Sequence, residues 1–354
     1  MPTTTSHQHL LNKHHELDYH CRNPGNRIFV SDWYCKHPYV RKYIPQNIFT
    51  ETNLTDKDLL YYCFPNDEYE VHEEIRKFHQ KYDGITYEND EIYIGAGMTP
   101  LITAQVIMMM NLGYTEFHYT KPLYYTFYYL SQVFNFKLIP ICEIPLNKPG
   151  IKLNLPEKKS CLIVCDPLWY MGKAIIPEYV EQIKNWQNKT ESYILVDGAF
   201  QYMKWDINDR KEASASLNKD LTFRSICPTK ALAIHGIRFS YILLPKIHQE
   251  DIRYSYANTS GSACIYSQKA AKRIMKILNS NESNSKLIEY IKKRYDYFIN
   301  KKIFVDDIKA ELTYFIFVKM VGNSSKYITM DQDFFDTSNY PGYVRFNLLL
   351  PHKI

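Results

Sequence analysis

Apolar residues recur at helical spacing from Val71 to Tyr82, and Asp83-Gly84 stops the run. A short strand is predicted over Glu91 to Ile94. Gly95-Ala96-Gly97-Met98-Thr99-Pro100 follows it and opens a long apolar helix, Leu101 to Leu112, closed by Gly113. Phe117 to Tyr119 reads as a strand, Tyr124 to Phe134 as a helix and Lys137 to Ile141 as a strand. Cys161 to Cys165 is continuously apolar and ends at Asp166-Pro167. Pro177 to Gln187 reads as a helix, and Tyr193 to Val196 as a strand ending at Asp197. Phe223 to Ile226 and Phe239 to Leu244 complete the set.

Strands that alternate with helices predict an α/β fold: a three-layer, mostly parallel central sheet with helices on both faces. Ligands of such sheets sit outside the strand ends, where the loops holding Gly97, Asp197 and Lys230 fall. Beyond Pro245 the pattern changes. Helices are expected over Ser267 to Leu278 and Asn284 to Tyr297, and strands over Leu312 to Met320 and Tyr343 to Leu350. This predicts a smaller α+β domain over 246–354. It is joined by the N-terminal segment 1–45, and the large domain occupies 46–245.

The 354 residues carry a formal charge of +5 without a basic block, so no nucleic-acid partner is expected. An anionic cofactor or substrate suits that charge. The 31 tyrosines follow an AT-rich codon bias, since Asn, Ile and Lys are frequent too. Eight cysteines form no Cys-x-x-Cys pair, which favours a reducing compartment. No stretch approaches the roughly 20 apolar residues of a membrane span. Met1 to Cys21 is polar and lacks a signal-peptide core, so a cytoplasmic location is expected. His7, His9, His14, His15 and His20 are expected in a solvated, partly disordered tail rather than a metal site; no metal is expected.

Chemistry concentrates around Lys230, in Arg224-Ser225-Ile226-Cys227-Pro228-Thr229-Lys230, with Arg238 eight positions on. A lysine amine so placed can hold a phosphorylated aldehyde as a Schiff base, while a hydroxyl and a guanidinium grip the phosphate. Gly97-Met98-Thr99 lies where a strand turns into a helix, which points backbone N–H groups at an anion. Asp197 ends a strand, and Arg345 stands in the last one.

In this order the residues resemble the fold type I pyridoxal-phosphate enzymes. The closest likeness is to the class I/II aminotransferases that include histidinol-phosphate aminotransferase, from roughly Leu60 onward. The resemblance implies pyridoxal 5'-phosphate tethered to Lys230, with Asp197 pairing with the pyridine nitrogen so that the ring withdraws electrons. It implies that Gly97, Met98, Thr99, Cys227, Thr229 and Arg238 hold the phosphate, with Cys227 a weak donor where serine is common. Tyr124, in Pro122-Leu123-Tyr124, would stack on the cofactor ring, and Arg345 would take the substrate α-carboxylate as a two-point fork. It further implies amino-acid and 2-oxo-acid substrates and a homodimer with shared sites, with Tyr62 a candidate to reach the neighbouring phosphate.

Two positions depart from the family pattern. Trp169 stands where an asparagine is usual, and Phe200 where a tyrosine three residues after the aspartate is usual. Both usual groups donate to the cofactor's ring oxygen. Tryptophan offers an indole N–H and phenylalanine nothing. A shift of one residue would instead bring in Tyr170 or Tyr202. Aminotransfer is therefore the first expectation. Decarboxylation, elimination or cyclisation at the same centre is the second, and a binding protein that keeps the fold is the third.

Overall fold

The computed structural model describes residues 7–32, 54–60, 62, 69–280, 282–322 and 326–350. In chain order the main elements are α1 (Gln8–Arg22), β1 (Ile28–Phe29), α2 (Asp56–Leu60), α3 (Tyr69–Tyr82), β2 (Ile92–Gly95) and α4 (Met98–Asn111). β3 (Glu116–Tyr119), α5 (Tyr125–Phe134), β4 (Lys137–Pro140), β5 (Cys161–Cys165), α6 (Pro177–Thr190) and β6 (Tyr193–Gly198) follow. Then come β7 (Thr222–Ile226), α7 (Pro228–Ala231), β8 (Ser240–Leu243), α8 (Gln249–Ser260), α9 (Ile265–Ser280) and α10 (Glu282–Asn300). The chain ends with β9 (Phe304–Val305), β10 (Phe315–Met320), β11 (Tyr327–Ile328) and β12 (Tyr343–Asn347).

Seven strands form one sheet in the order β2-β8-β7-β6-β5-β3-β4. Only β8 runs against its neighbours, pairing antiparallel with both β2 and β7. The fold is the expected α/β arrangement. Its layers follow from alternation along the strands. Leu162 and Val164 of β5 and Ile194 and Val196 of β6 face a core with Ile75 and Phe78 of α3 and Ile183 of α6. Cys161, Ile163 and Leu195 face the opposite core, with Leu101 and Val106 of α4 and Ile252 of α8. Each fully buried aliphatic side chain contributes about 2 kcal/mol. Burial on both faces explains why β5 and β6 read as unbroken apolar runs.

α4 starts three residues before the run Leu101 to Leu112 suggests. Pro100 is tolerated in a first turn, where its missing N–H has no intrahelical partner. β10 starts later than Leu312, because Thr313 takes a φ of 57° and its hydroxyl accepts the Phe315 N–H at 3.2 Å. β12 stops at Asn347, whose side chain turns to bond Asp32 O at 2.6 Å and Leu349 N at 2.9 Å. α8 has no counterpart among the elements expected from apolar spacing. It covers α4 from outside the sheet.

The expectation of a solvated tail fails for the described part of the N-terminus, which forms α1. Leu10 and Leu11 are buried against the core that contains α5. The His7 ring lies 4.7 Å from Tyr128, and Lys13 bonds Asp333 at 2.6 Å. Asp336 anchors this corner. It accepts from Tyr119 Oη at 2.9 Å and pairs with Lys121 at 3.4 Å. β1 pairs in parallel with β11, while β9, β10 and β12 form a small antiparallel sheet. No helix among the described residues is long and apolar enough to cross a membrane.

Candidate active site

Parallel register places the chemistry at one edge of the sheet. Asp197, on β6, lies opposite Cys165 on one side and Ser225 on the other. β7 then runs into α7, whose first residue is Pro228 and which carries Lys230. The Lys230 N–H bonds Cys227 O at 2.9 Å, and its carbonyl accepts from Ala233 at 3.0 Å. These bonds fix the turn from which the amine projects. Lys230 Nζ lies 5.5 Å from the centre of the Phe200 ring.

Asp197 is buried. One oxygen accepts the Ala199 N–H at 3.1 Å. Burial pushes its carboxyl up to about 6. The Ala199 hydrogen bond and the Lys230 charge only partly oppose that rise. The amine and the carboxylate therefore share one electrostatic site.

β2 delivers Gly97 to the N-terminus of α4 with a φ of 96°, a region that favours glycine. A Cβ on Gly97 would overlap the Arg238 guanidinium, so the cation packs directly on the bare backbone. No side chain caps this helix start, so the first-turn N–H groups, those of Met98 and Thr99 among them, have no capping side chain. Cys227 Sγ lies 3.2 Å from Thr229 Oγ1. Tyr124 precedes α5, with Tyr125, Thr99 and Thr126 beside its hydroxyl; burial raises its phenol far above the usual range.

Arg345 is fully buried. Its Nε bonds Ser31 Oγ, while Nη2 lies 3.3 Å from Ser31 O and 3.0 Å from Met330 Sδ. Its carbon lies 5.2 Å from the Trp169 ring centre and 4.5 Å from that of Phe315. Burial pushes the guanidinium down to about 9. A two-point fork open to a carboxylate was expected; the structure instead shows its Nε–Nη2 edge engaged by Ser31.

The two positions read above as departures from the family pattern lie side by side in the structure. Trp169 and Phe200 stack on each other, 5.5 Å between centres at 16°. Trp169 lies beside the Cys165 thiol, and hydrogen bonding from it opposes the rise that burial imposes on that thiol. Neither alternative tyrosine restores a hydroxyl here. Tyr202 Oη donates to Asp83 at 2.8 Å and accepts from Arg224 at 2.6 Å. Tyr170 stacks on Phe335 at 4.4 Å. Tyr62 is exposed, and the residues after it, 63–68, lie outside the described residues.

Two contributors, Tyr256 and His235, carry no signal in the sequence. Tyr256, on α8, accepts the Ala96 N–H at 2.7 Å and so holds the loop leading to Gly97. His235 bonds Tyr314 Oη at 3.1 Å. Burial, then the charges of Lys230 and Arg238, push it down to about 3, so it stays neutral beside the amine. Ser31 holds Arg345 from 314 positions away. None of these long-range pairings leaves a local signal.

The model of the family "Aminotransferase class I and II" matches residues 40–325. No curated protein sequence matches the chain. Among solved structures, a probable N-succinyldiaminopimelate aminotransferase from Thermus thermophilus superposes with a TM-score of 0.76 at 13% identity, covering 97% of this chain and 96% of that one. An aspartate aminotransferase from Thermotoga maritima gives 0.73 at 15% identity, covering 99% and 94%. YbdL from Escherichia coli, described with a methionine aminotransferase function, gives 0.73 at 13%, covering 99% and 94%. At these identities the structures speak for the fold, whereas the family match spans most of the sequence. The chain thus belongs to the class I and II aminotransferases, a family of pyridoxal-phosphate-dependent transferases.

Proposed function

We propose that this site carries out amino-group transfer between an amino acid and a 2-oxo acid, with Lys230 as the attachment point and proton carrier. The observation that supports it most is the meeting of the Lys230 amine, the buried Asp197 carboxylate and the Gly97–Arg238 cradle at adjacent strand ends. These residues fit pyridoxal phosphate. The cradle suits a phosphate, because only a backbone without Cβ admits Arg238, and the helix start adds N–H donors. Asp197 suits a cationic ring nitrogen, because a cation there offsets the cost of its burial.

When bound, the cofactor supplies an electron-withdrawing ring that acidifies the substrate Cα–H. Lys230 Nζ takes that proton and gives it back. Neutral His235 adds no competing charge beside it. Tyr124 offers a ring face, and Thr229 with Cys227 supports the phosphate end. Arg345 takes the substrate carboxylate while sharing its guanidinium with Ser31, and the surrounding rings exclude water from the ion pair. Met98 contributes its backbone N–H. Trp169 supports the site through Phe200, which lines the lysine's side with hydrocarbon. We also read the protein as a cytoplasmic homodimer in which the N-terminal segment and the part carrying β9, β10 and β12 form the smaller domain; residues 249–260, expected there, pack instead as α8 on α4 of the large domain.

The hydrocarbon flank of Phe200 keeps a second reading in play, in which the same centre breaks a different bond of the amino acid. Product identification separates the two. The purified, cofactor-loaded protein mixed with an amino acid and a 2-oxo acid is expected to yield the exchanged pair. Carbon dioxide or ammonia as the main product would instead establish the second reading.

Gly97→Ala tests the cradle. It is expected to weaken cofactor binding by about 2 kcal/mol, roughly thirtyfold in Kd, read by fluorescence titration. Gly113→Ala is the control, since Gly113 shares the positive φ but has open space around it. Equal loss of cofactor in both variants would remove the cradle from the site.

A further inference from the structure

A cavity of about 460 Å³ opens on Tyr124, Trp169 and Arg345 and is roofed by α1. We infer that it receives the side chain of a neutral aromatic amino acid and that His14 is a specificity-determining residue for it. This rests on the reading of Lys230 and Arg345 above, because the cavity begins where the substrate carboxylate would be held.

The wall chemistry selects the class. Leu17, Leu123, Tyr125 and Phe334 give it a broad apolar and aromatic surface, which suits a flat ring. A second carboxylate would need a second fixed cation. Besides Arg345, the lining among the described residues offers only His14 and His15 as basic groups. His14 is largely shielded, and burial followed by the nearby Arg345 charge pushes it down to about 4. It is therefore neutral at physiological pH. Asp18 and Asp32 also line the cavity and bring no cation that would hold an acidic side chain. Asp18 is already paired with Arg22 at 2.7 Å.

His14 is placed to read a polar group on the ring. Its imidazole lies 4.9 Å from the Tyr125 ring and meets Phe334 edge-on at 5.4 Å. These two rings hold it at the cavity wall. A neutral imidazole presents one donor and one acceptor nitrogen, so it can meet a ring hydroxyl or an indole N–H.

The test uses carboxylates that lack the α-amino group, titrated into the cofactor-loaded protein by calorimetry: phenylpropionate, hydroxyphenylpropionate, glutarate and aminohexanoate. The aromatic pair is expected to bind at least about tenfold tighter than the other two. His14→Ala is expected to weaken hydroxyphenylpropionate about fivefold more than phenylpropionate. His14→Gln, which keeps a donor and an acceptor, restores part of that difference. Glutarate or aminohexanoate binding as tightly as the aromatics, or no binding by any of the four, overturns the substrate class. An equal loss for both aromatics in His14→Ala overturns the role of His14. Borohydride fixation of the cofactor on Lys230, checked by peptide mass in the same sample, keeps these failures distinct from failure of the underlying site assignment.

Discussion

Replacing Lys230 with alanine is expected to abolish covalent fixation of the cofactor by borohydride and to lower amino transfer at least about 10⁴-fold. The fold should survive. Both hydrogen bonds of the Lys230 backbone, to Cys227 and from Ala233, are kept by alanine, and alanine is a good helix former on α7. Lys230→Arg should not rescue the rate. It keeps a positive charge near Asp197 but cannot form the imine or accept a proton near neutral pH. The decisive reading is the visible absorbance with and without borohydride, followed by peptide mass. A Lys230→Ala protein that still fixes the cofactor would place the attachment elsewhere.

Asp197→Asn should act in opposite directions on stability and on activity. In the cofactor-free chain, burial raises the Asp197 carboxyl from 3.8 to about 6. The folded state therefore binds this proton more tightly than the unfolded state. Its stabilising contribution is complete below the unfolded pKa and is lost as the pH rises through about 6. The loss is on the order of 3 kcal/mol at pH 8. Asparagine removes it, so the cofactor-free variant is expected to melt roughly 4 °C higher than the parent at pH 8 and close to it at pH 4. The loaded enzyme should behave in the reverse way. Without the carboxylate the ring nitrogen loses its anionic partner, and turnover is expected to fall at least about 100-fold. Melting curves of both proteins at the two pH values, with and without cofactor, read both effects. A cofactor-free parent that melts no lower than the variant at pH 8 would mean that this burial carries no electrostatic cost.

The legible parts of the chain were those with local causes. β5 and β6 are unbroken apolar runs because both faces of the central sheet are covered. Gly97, Asp197, Lys230 and Arg238 lie at strand ends or in the loops that follow them, so a pattern of strands sufficed to bring them to one edge. α1 was not legible for a physical reason. It docks through His7 on Tyr128, His14 on Tyr125 and Lys13 on Asp333, with only Leu10 and Leu11 fully buried. A helix held by rings and ions reads as polar when only aliphatic spacing is followed. Tyr256, one of 31 tyrosines, is distinguished only by the Ala96 N–H it accepts. Arg345 was legible as a residue but not in its setting, because Ser31 comes from the other end of the chain. Phe200 was singled out in the sequence, and the structure adds that its ring stacks on Trp169.

The family match ends at residue 325 and begins at 40. α1 and Arg345 lie outside it, yet they form the roof and the far wall of the cavity beside Tyr124, and Ser31, also outside it, holds Arg345. What enters the cavity is thus shaped from both chain ends as well as from Leu123 to Tyr125 and Trp169, while the lysine and the Gly97–Arg238 cradle come from the middle alone. Two proteins alike across that middle stretch need not handle the same metabolite.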